Sequence, residues 1–338
     1  MTPKERVFRR LRGESVDKIP NLNILMTFAA KYIKAPYKKY VTDYRCLVEG
    51  NLVCCEKFGI DMVSAISDPC REAHGFGTKI IFPDDDVPQC IDYFIKEYSD
   101  IDKLKINNPL DCERMLDRIN AVKLFKKEVG KKFPILGWVE GPIAESADLR
   151  GLSRIMTDIY DAPEFLKKLF EICTQQAILF SYEQIEAGAD FIGIGDAAAS
   201  LVGPNIYKEF VLPYEQRIIN AVHQKGAKVK LHICGNVSSI LDILPLTGAD
   251  IIDIDWMVDF KIANEIFKGH CSACGNFDPV KILLQGSEDD VQKAVISCVN
   301  DSSNASFIAA GCEVPKMTSF ENLLRVDSSI KEIMAQNI

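Results

Sequence analysis

Between Pro134 and the C-terminus, short apolar runs alternate with longer amphipathic ones, and this alternation limits the fold more than any other feature of the chain. Residues 134–140, 190–194, 228–232, 251–255, 271–275 and 305–311 read as strands. Between them lie helical stretches. One has Asp161 as its N-cap and Pro163 in its first turn, with Phe165, Leu166, Leu169, Phe170, Ile172 and Cys173 forming an apolar stripe that runs to Gly188. Others cover 207–224, 238–246, 262–267 and 288–298, and Thr318 with Glu321 makes a capping box for the last helix. The first third is less regular. It reads as helix 3–11, strand 21–26, a lysine-rich helix and loop at 31–39, helix 43–58 stopped by Gly59, strand 60–66, an excursion at 75–98 and helix 111–129. Eight strands separated by helices, with no G-x-G-x-x-G turn after the first, predict an α/β fold: a (β/α)8 TIM barrel, not a doubly wound sheet. With 338 residues, 47% of them hydrophobic, the chain can build one large core, so residues 1–338 are expected to form a single domain.

In such a barrel the chemistry gathers where the strands end at their carboxyl side. The run Lys228-Val229-Lys230-Leu231-His232-Ile233-Cys234-Gly235-Asn236 closes one strand with an imidazole and a thiol at i and i+2. In extended chain these point to the same side, with Cα atoms roughly 6.5 to 7 Å apart, a span that one tetrahedral cation can close with bonds of about 2.0 Å to nitrogen and 2.3 Å to sulfur. A two-ligand clip holds a metal weakly. Cys312 ends the strand at 305–311 and can bring a third donor to the same rim. His232, Cys234 and Cys312 together leave one tetrahedral position open, the arrangement of catalytic rather than structural zinc. The alternative is plain burial, since a free cysteine packs as a small hydrophobe. Acids also end strands here: Glu140, Asp196, Asp253 and Asp255. Glu140, Asp196 and Asp255 are the catalytic candidates, to position substrate or fill the fourth metal position. For Asp196 and Asp255 the other reading is a helix cap or a loop-amide acceptor. Asn236 is the candidate for cofactor contact, and Gly141, Gly235 and Gly311 read as turn residues permitting positive φ.

The formal net charge is -8 and no basic patch occurs, which argues against a nucleic-acid surface and for a small-molecule or protein partner. No apolar run approaches the roughly 20 residues that span a bilayer, and the N-terminus lacks an apolar signal core, so no membrane segment and a cytoplasmic location are expected. Twelve cysteines are then mostly reduced thiols, in the core or on metal. Cys271 and Cys274 form a CxxC, but in extended chain they face opposite ways and read as strand residues.

The run Leu231-His232-Ile233-Cys234-Gly235-Asn236, with Gly248-Ala249-Asp250, Gly275-Asn276-Phe277-Asp278-Pro279, Gly311-Cys312-Glu313-Val314-Pro315 and Glu321-Asn322-Leu323, resembles the uroporphyrinogen decarboxylase superfamily over nearly the whole chain. Within it, His-x-Cys followed far downstream by Gly-Cys looks like the zinc motif of the methylcobamide:coenzyme M methyltransferase branch, as do Asp68-Pro69 and Glu72-Ala73. The resemblance implies an α/β barrel, Zn2+ on His232, Cys234 and Cys312, and a methylcorrinoid carried by a partner corrinoid protein. It also implies methyl transfer to a zinc-activated thiol such as coenzyme M, or to or from another small molecule. Decarboxylases of the superfamily carry an arginine-rich segment after the first strand, whereas here Met26-Thr27-Phe28-Ala29-Ala30-Lys31-Tyr32 holds no arginine to grip the carboxylates of a tetrapyrrole. A uroporphyrinogen decarboxylase is therefore the second reading, and a non-enzymatic corrinoid- or tetrapyrrole-binding module the third.

Overall fold

The computed structural model describes residues 1–336. Seven strands form one all-parallel sheet: β1 (Val63–Ser64), β4 (Ile135–Glu140), β5 (Phe191–Gly195), β6 (Lys228–His232), β7 (Ile251–Asp253), β8 (Ser272–Phe277) and β9 (Phe307–Ala310), adjacent in that order. A separate antiparallel hairpin, β2 (Lys79–Ile81) with β3 (Gln89–Asp92), occupies the excursion between β1 and β4. Parallel neighbours need crossovers, and helices such as Glu113–Val129, Pro163–Ala187, Leu212–Gln224 and Glu288–Asp301 supply them. The long helix Pro163–Ala187 stops at Gly188, whose φ of 113° suits a residue without a Cβ. All six residues of β4 are buried, as expected where helices cover the outer face and side chains fill the inner one.

The ring closes through residues 20–24. Asn21 bridges Ile308 of β9 in parallel, and its carbonyl accepts the Asp61 amide at 2.8 Å on the other side. The result is the TIM-like (β/α)8 barrel that the alternation predicts. Its first two positions depart from expectation: of strand 21–26 only Asn21 makes a bridge, and strand 60–66 shrinks to Val63–Ser64. Polar side chains do the joining there. Asp61 Oδ2 accepts the Asn21 amide at 2.8 Å, Asn23 Oδ1 accepts the Ala310 amide at 2.9 Å, and Arg6 and Lys18 pair with Asp61 at 2.6 and 3.1 Å.

Several local expectations are corrected. Residues 238–246 form turns ending in a short 3-10 segment, Leu244–Thr247, because Pro245 interrupts the amide ladder of a longer helix. Asp161 ends the helix Leu152–Asp161, and the next helix starts after Ala162 without a side-chain cap. The last helix, Phe320–Gln336, is capped by Ser319, whose Oγ accepts the Asn322 amide at 3.1 Å, and Thr318 makes no capping bond. The lysine-rich stretch divides into two short helices, Thr27–Tyr32 and Tyr37–Thr42. Among the described residues no helix is long and apolar enough to cross a membrane.

Inside the barrel, Trp138 and Glu140 of β4 lie over glycines of β5. A Cβ on Gly193 would sit 2.1 Å from Trp138 Cε3, and one on Gly195 would sit 2.9 Å from Glu140 Oε2. Two missing side chains therefore make room for an indole and a carboxyl beneath the mouth.

Candidate functional site

His232 ends β6 and Asp253 ends β7, and the two are register partners, so their side chains stand level on one face. His232 Nδ1 lies 2.8 Å from Asp253 Oδ2, and Lys230 Nζ binds the same oxygen from one layer below. A proton held between Nδ1 and the carboxylate leaves Nε2 as the free donor. Burial raises the cost of ionising Asp253, but Lys230 and His232 outweigh it and hold the carboxyl at about 2. Burial likewise opposes protonation of His232, yet Asp253, aided by Cys312, lifts the metal-free imidazole to about 10.

Nε2 points toward Cys312 Sγ at 3.9 Å, and the donor atoms of His232, Cys234 and Cys312 all lie within 4.8 Å of one another. Ligands on one tetrahedral zinc sit about 3.6 Å apart, the edge implied by bonds of about 2.0 to 2.3 Å. One nitrogen and two sulfurs at this spacing fit such an ion. The two thiols shift each other in opposite directions, Cys312 upward and Cys234 downward.

Asp255 ties the Cys234 loop to the loop after β7. Its Oδ2 accepts the Gly235 amide at 2.6 Å and its Oδ1 accepts the Trp256 amide at 2.7 Å. A Cβ on Gly311 would lie 2.6 Å from that Oδ1, so only glycine lets the Cys312 loop approach. Gly235 has the positive φ expected of it, 93°, whereas Gly141 and Gly311 are not in that region and are needed for close packing, Gly141 against Asp196.

The other candidates are placed as follows. Glu140 is buried beside the site, accepting Arg71 Nη2 at 2.7 Å and Trp138 Nε1 at 3.1 Å, and burial pushes its carboxyl well above the usual range. The indole of Trp138 faces the His232 ring at 6.0 Å between centroids. Asp196 is fully buried beneath the helix Pro142–Arg150, where its Oδ1 accepts the Ala144 amide at 2.8 Å. Burial, then the neighbouring Glu215, pushes it well up. Asn236 is exposed and folds its Oδ1 back onto the Ser238 amide at 3.0 Å. Glu313, next to Cys312, is raised by burial to about 7. Arg71, Glu145, Asp148, Glu215 and Glu313 gave no spacing signal in the sequence, because they reach the mouth region from helices and loops rather than from strand ends.

A methylcobamide:CoM methyltransferase, MtbA, of Methanosarcina mazei is 29% identical over 331 residues, 96% of each chain. A uroporphyrinogen decarboxylase of Geobacter metallireducens is 26% identical over 283 residues, 79% of this chain and 80% of that one. Among solved structures, a methyltransferase from Methanosarcina mazei superposes with a TM-score of 0.90 at 23% identity, covering 98% of this chain and 99% of that one. The family model described as Uroporphyrinogen decarboxylase (URO-D) matches residues 2–333, and the chain therefore belongs to the uroporphyrinogen decarboxylase family.

Proposed function

We propose that the protein is a zinc-dependent methyltransferase, moving a methyl group between a methylcorrinoid carried by a corrinoid protein and a small thiol such as coenzyme M. The reading rests on the convergence of His232, Cys234 and Cys312, and it is supported by a relative that is named as a methylcobamide:CoM methyltransferase and matches over 96% of both chains. The family match at 2–333 likewise supports one domain across 1–338.

Zinc held by these three residues would keep a substrate thiol deprotonated at neutral pH, because a coordinating thiol loses its proton to the metal's charge. The chain's own residues prepare that chemistry. Asp253 fixes the tautomer and rotation of His232, Asp255 holds the Cys234 loop by the Gly235 amide while Gly311 lets the Cys312 loop pack against it, and Trp138 walls the site off below. Glu140, held by Arg71 and Trp138, places a carboxyl beside the sulfurs, while Asp196 supports the turn after β4 and Asn236 shapes the outer loop.

Two surfaces suit the two reactants. A cleft of about 610 Å³ beside the mouth is lined by Lys31, Lys34 and Lys316 with Tyr32 and Phe320, a setting for the anionic tail of a small thiol. Large apolar side chains on loops after β5, β7 and β9 stand in solvent: Leu201 is 60% exposed, Trp256 48% and Met317 64%. A rim of this kind suits a docked protein. Against a decarboxylase, the helix Thr27–Tyr32 buries Thr27, Phe28, Ala29 and Ala30 and has no arginine to pair with porphyrinogen carboxylates.

The test is methyl transfer from methylcobalamin to coenzyme M and a panel of other thiols, followed by absorbance of the cobalt centre. Zinc-loaded enzyme is expected to demethylate the corrinoid, and Cys312→Ala to lose both zinc and rate. Full activity in metal-free protein, or carbon dioxide release from uroporphyrinogen in place of methyl transfer, refutes the proposal. Bound corrinoid with no turnover of any thiol favours the binding module.

A further inference from the structure

A second group of metal-type donors lies outside the barrel interior. Cys70, in the loop after β1, and Cys90, on β3, bring their sulfurs to 3.6 Å, and a carboxylate oxygen of Asp148, from the helix Pro142–Arg150, completes a trio within 4.8 Å. The sulfur separation is far beyond a disulfide bond of about 2.05 Å and close to the edge of about 3.8 Å between two sulfurs on one tetrahedral zinc.

The carboxyl groups around this trio are short of partners. Arg71 gives Nη2 to Glu140 at 2.7 Å and Nη1 to the Asp68 carbonyl, and its Nε faces Glu72 at 3.5 Å. Arg114 is taken by Asp68 at 2.6 Å, and Arg150 by Asp158. Among the described residues this leaves Glu145 and Asp148 with no basic partner, and both oxygens of Glu145 and Oδ2 of Asp148 are buried without a hydrogen bond. Buried carboxylate oxygens are rarely left unpaired unless an ion or water meets them. Burial makes such oxygens costly, and two sulfurs beside them select for a borderline-soft ion over calcium or magnesium.

We propose that Cys70, Cys90 and Asp148 form a second binding site for a zinc-type divalent cation, separate from the His232 centre. Binding releases the two thiol protons to solvent, so the net charge of the site is unchanged, and the ion takes two thiolates and gives the Asp148 carboxylate the partner it otherwise lacks. The site ties three pieces of chain that no barrel ladder joins: the loop after β1, the β2–β3 hairpin and the helix after β4. It also has reach toward the mouth. The hairpin tip touches the Cys312 loop, where Lys316 Nζ donates to the Asp85 carbonyl at 2.9 Å, so fixing the hairpin base fixes one wall of the lysine-lined cleft.

Metal content of the full-length chain, expressed with zinc and purified under reducing conditions, tests this. Two equivalents are expected in the wild type, one in Cys90→Ser, one in Cys312→Ala and none in the double variant. A chelator should increase protease cleavage at the hairpin tip, residues 83–87, in wild type but not in Cys90→Ser, which reads the site without relying on a variant's folding. A single equivalent unchanged by Cys90→Ser overturns the second site while leaving the His232 centre standing, and so does an intact mass showing a Cys70–Cys90 disulfide in place of the ion. Loss of metal in Cys312→Ala alone reports on the other site, so failure of one reading is not confused with failure of the other.

Discussion

Replacing Asp255 separates a reacting group from a loop anchor. In Asp255→Ala the Gly235 and Trp256 amides lose their carboxylate, at 2.6 and 2.7 Å. A hydrogen bond to a charged group is worth about 1.5 to 3 kcal/mol, and the Gly235 bond is the one that reaches a separate loop, so Asp255 holds the Cys234 loop with about that much. With zinc bound, the metal itself ties Cys234 to Cys312, so the loss falls mainly on the metal-free state, whose loop relaxes and must be re-ordered on binding. At about 1.4 kcal/mol per factor of ten, zinc should bind at least roughly tenfold more weakly. Asp255→Asn keeps a neutral acceptor for that amide and should lose only a few-fold, about 0.5 to 1 kcal/mol. Competition against a chromophoric chelator measures both constants, and turnover at saturating zinc gives the second reading. An anchor predicts weaker zinc with most of the saturated rate retained. Unchanged zinc affinity with a collapsed saturated rate would refute this reasoning and restore Asp255 to the reacting groups.

Three further outcomes are expected. Burial raises Glu215 from 4.5 to about 7, so it costs the fold nothing below about pH 4.5, progressively more up to pH 7 and its full amount above; Glu215→Gln should exceed the wild type in urea stability at pH 8 by up to about 3 kcal/mol, with the gap closing by pH 4.5. Gly193→Ala puts a methyl 2.1 Å from Trp138, whose indole is held by Glu140, and should cost about 1 to 3 kcal/mol in thermal denaturation, with Trp138→Leu recovering part of it. Leu201→Lys should raise KM for a methylated corrinoid protein several-fold while leaving transfer from free methylcobalamin unchanged, since Leu201 stands in solvent and is not one of the metal donors.

The regular half of the barrel was legible because β4 to β9 are buried on both faces and write themselves as apolar runs, with glycine stops such as Gly188 after the helices. Asn21 and Asn23 misled for a physical reason. Both are polar and buried: Asn21 Oδ1 accepts the Asn23 amide within the segment, and Asn23 Oδ1 accepts the Ala310 amide of β9, contacts that no period-two pattern announces. His232, Cys234 and Cys312 could be singled out because strand ends of a barrel meet at one rim. For Asp255 a loop-amide acceptor is one of two readings, and which amides its oxygens find is fixed only in the fold. Arg71 and Asp148 were equally hidden, lying on helices whose orientation only the folded chain fixes.

The incomplete first strand has a mechanical meaning. Around most of the ring, hydrogen bonds between main chains resist opening regardless of which side chains are present. Across the sector at residues 20–24 the main-chain bonds are few, Pro20 and Leu22 with Ile308 and Asn21 with Asp61, the side chains of Asn23 and Asp61 add to them, and the loop after Cys312 leans on the same sector through the Val314 amide, 3.0 Å from the Ile24 carbonyl. His232 stands on the far side of the circle. An ion joining Cys312 to His232 would span from the sector with the fewest rungs to the one facing it, bracing the cylinder across its width like a spoke.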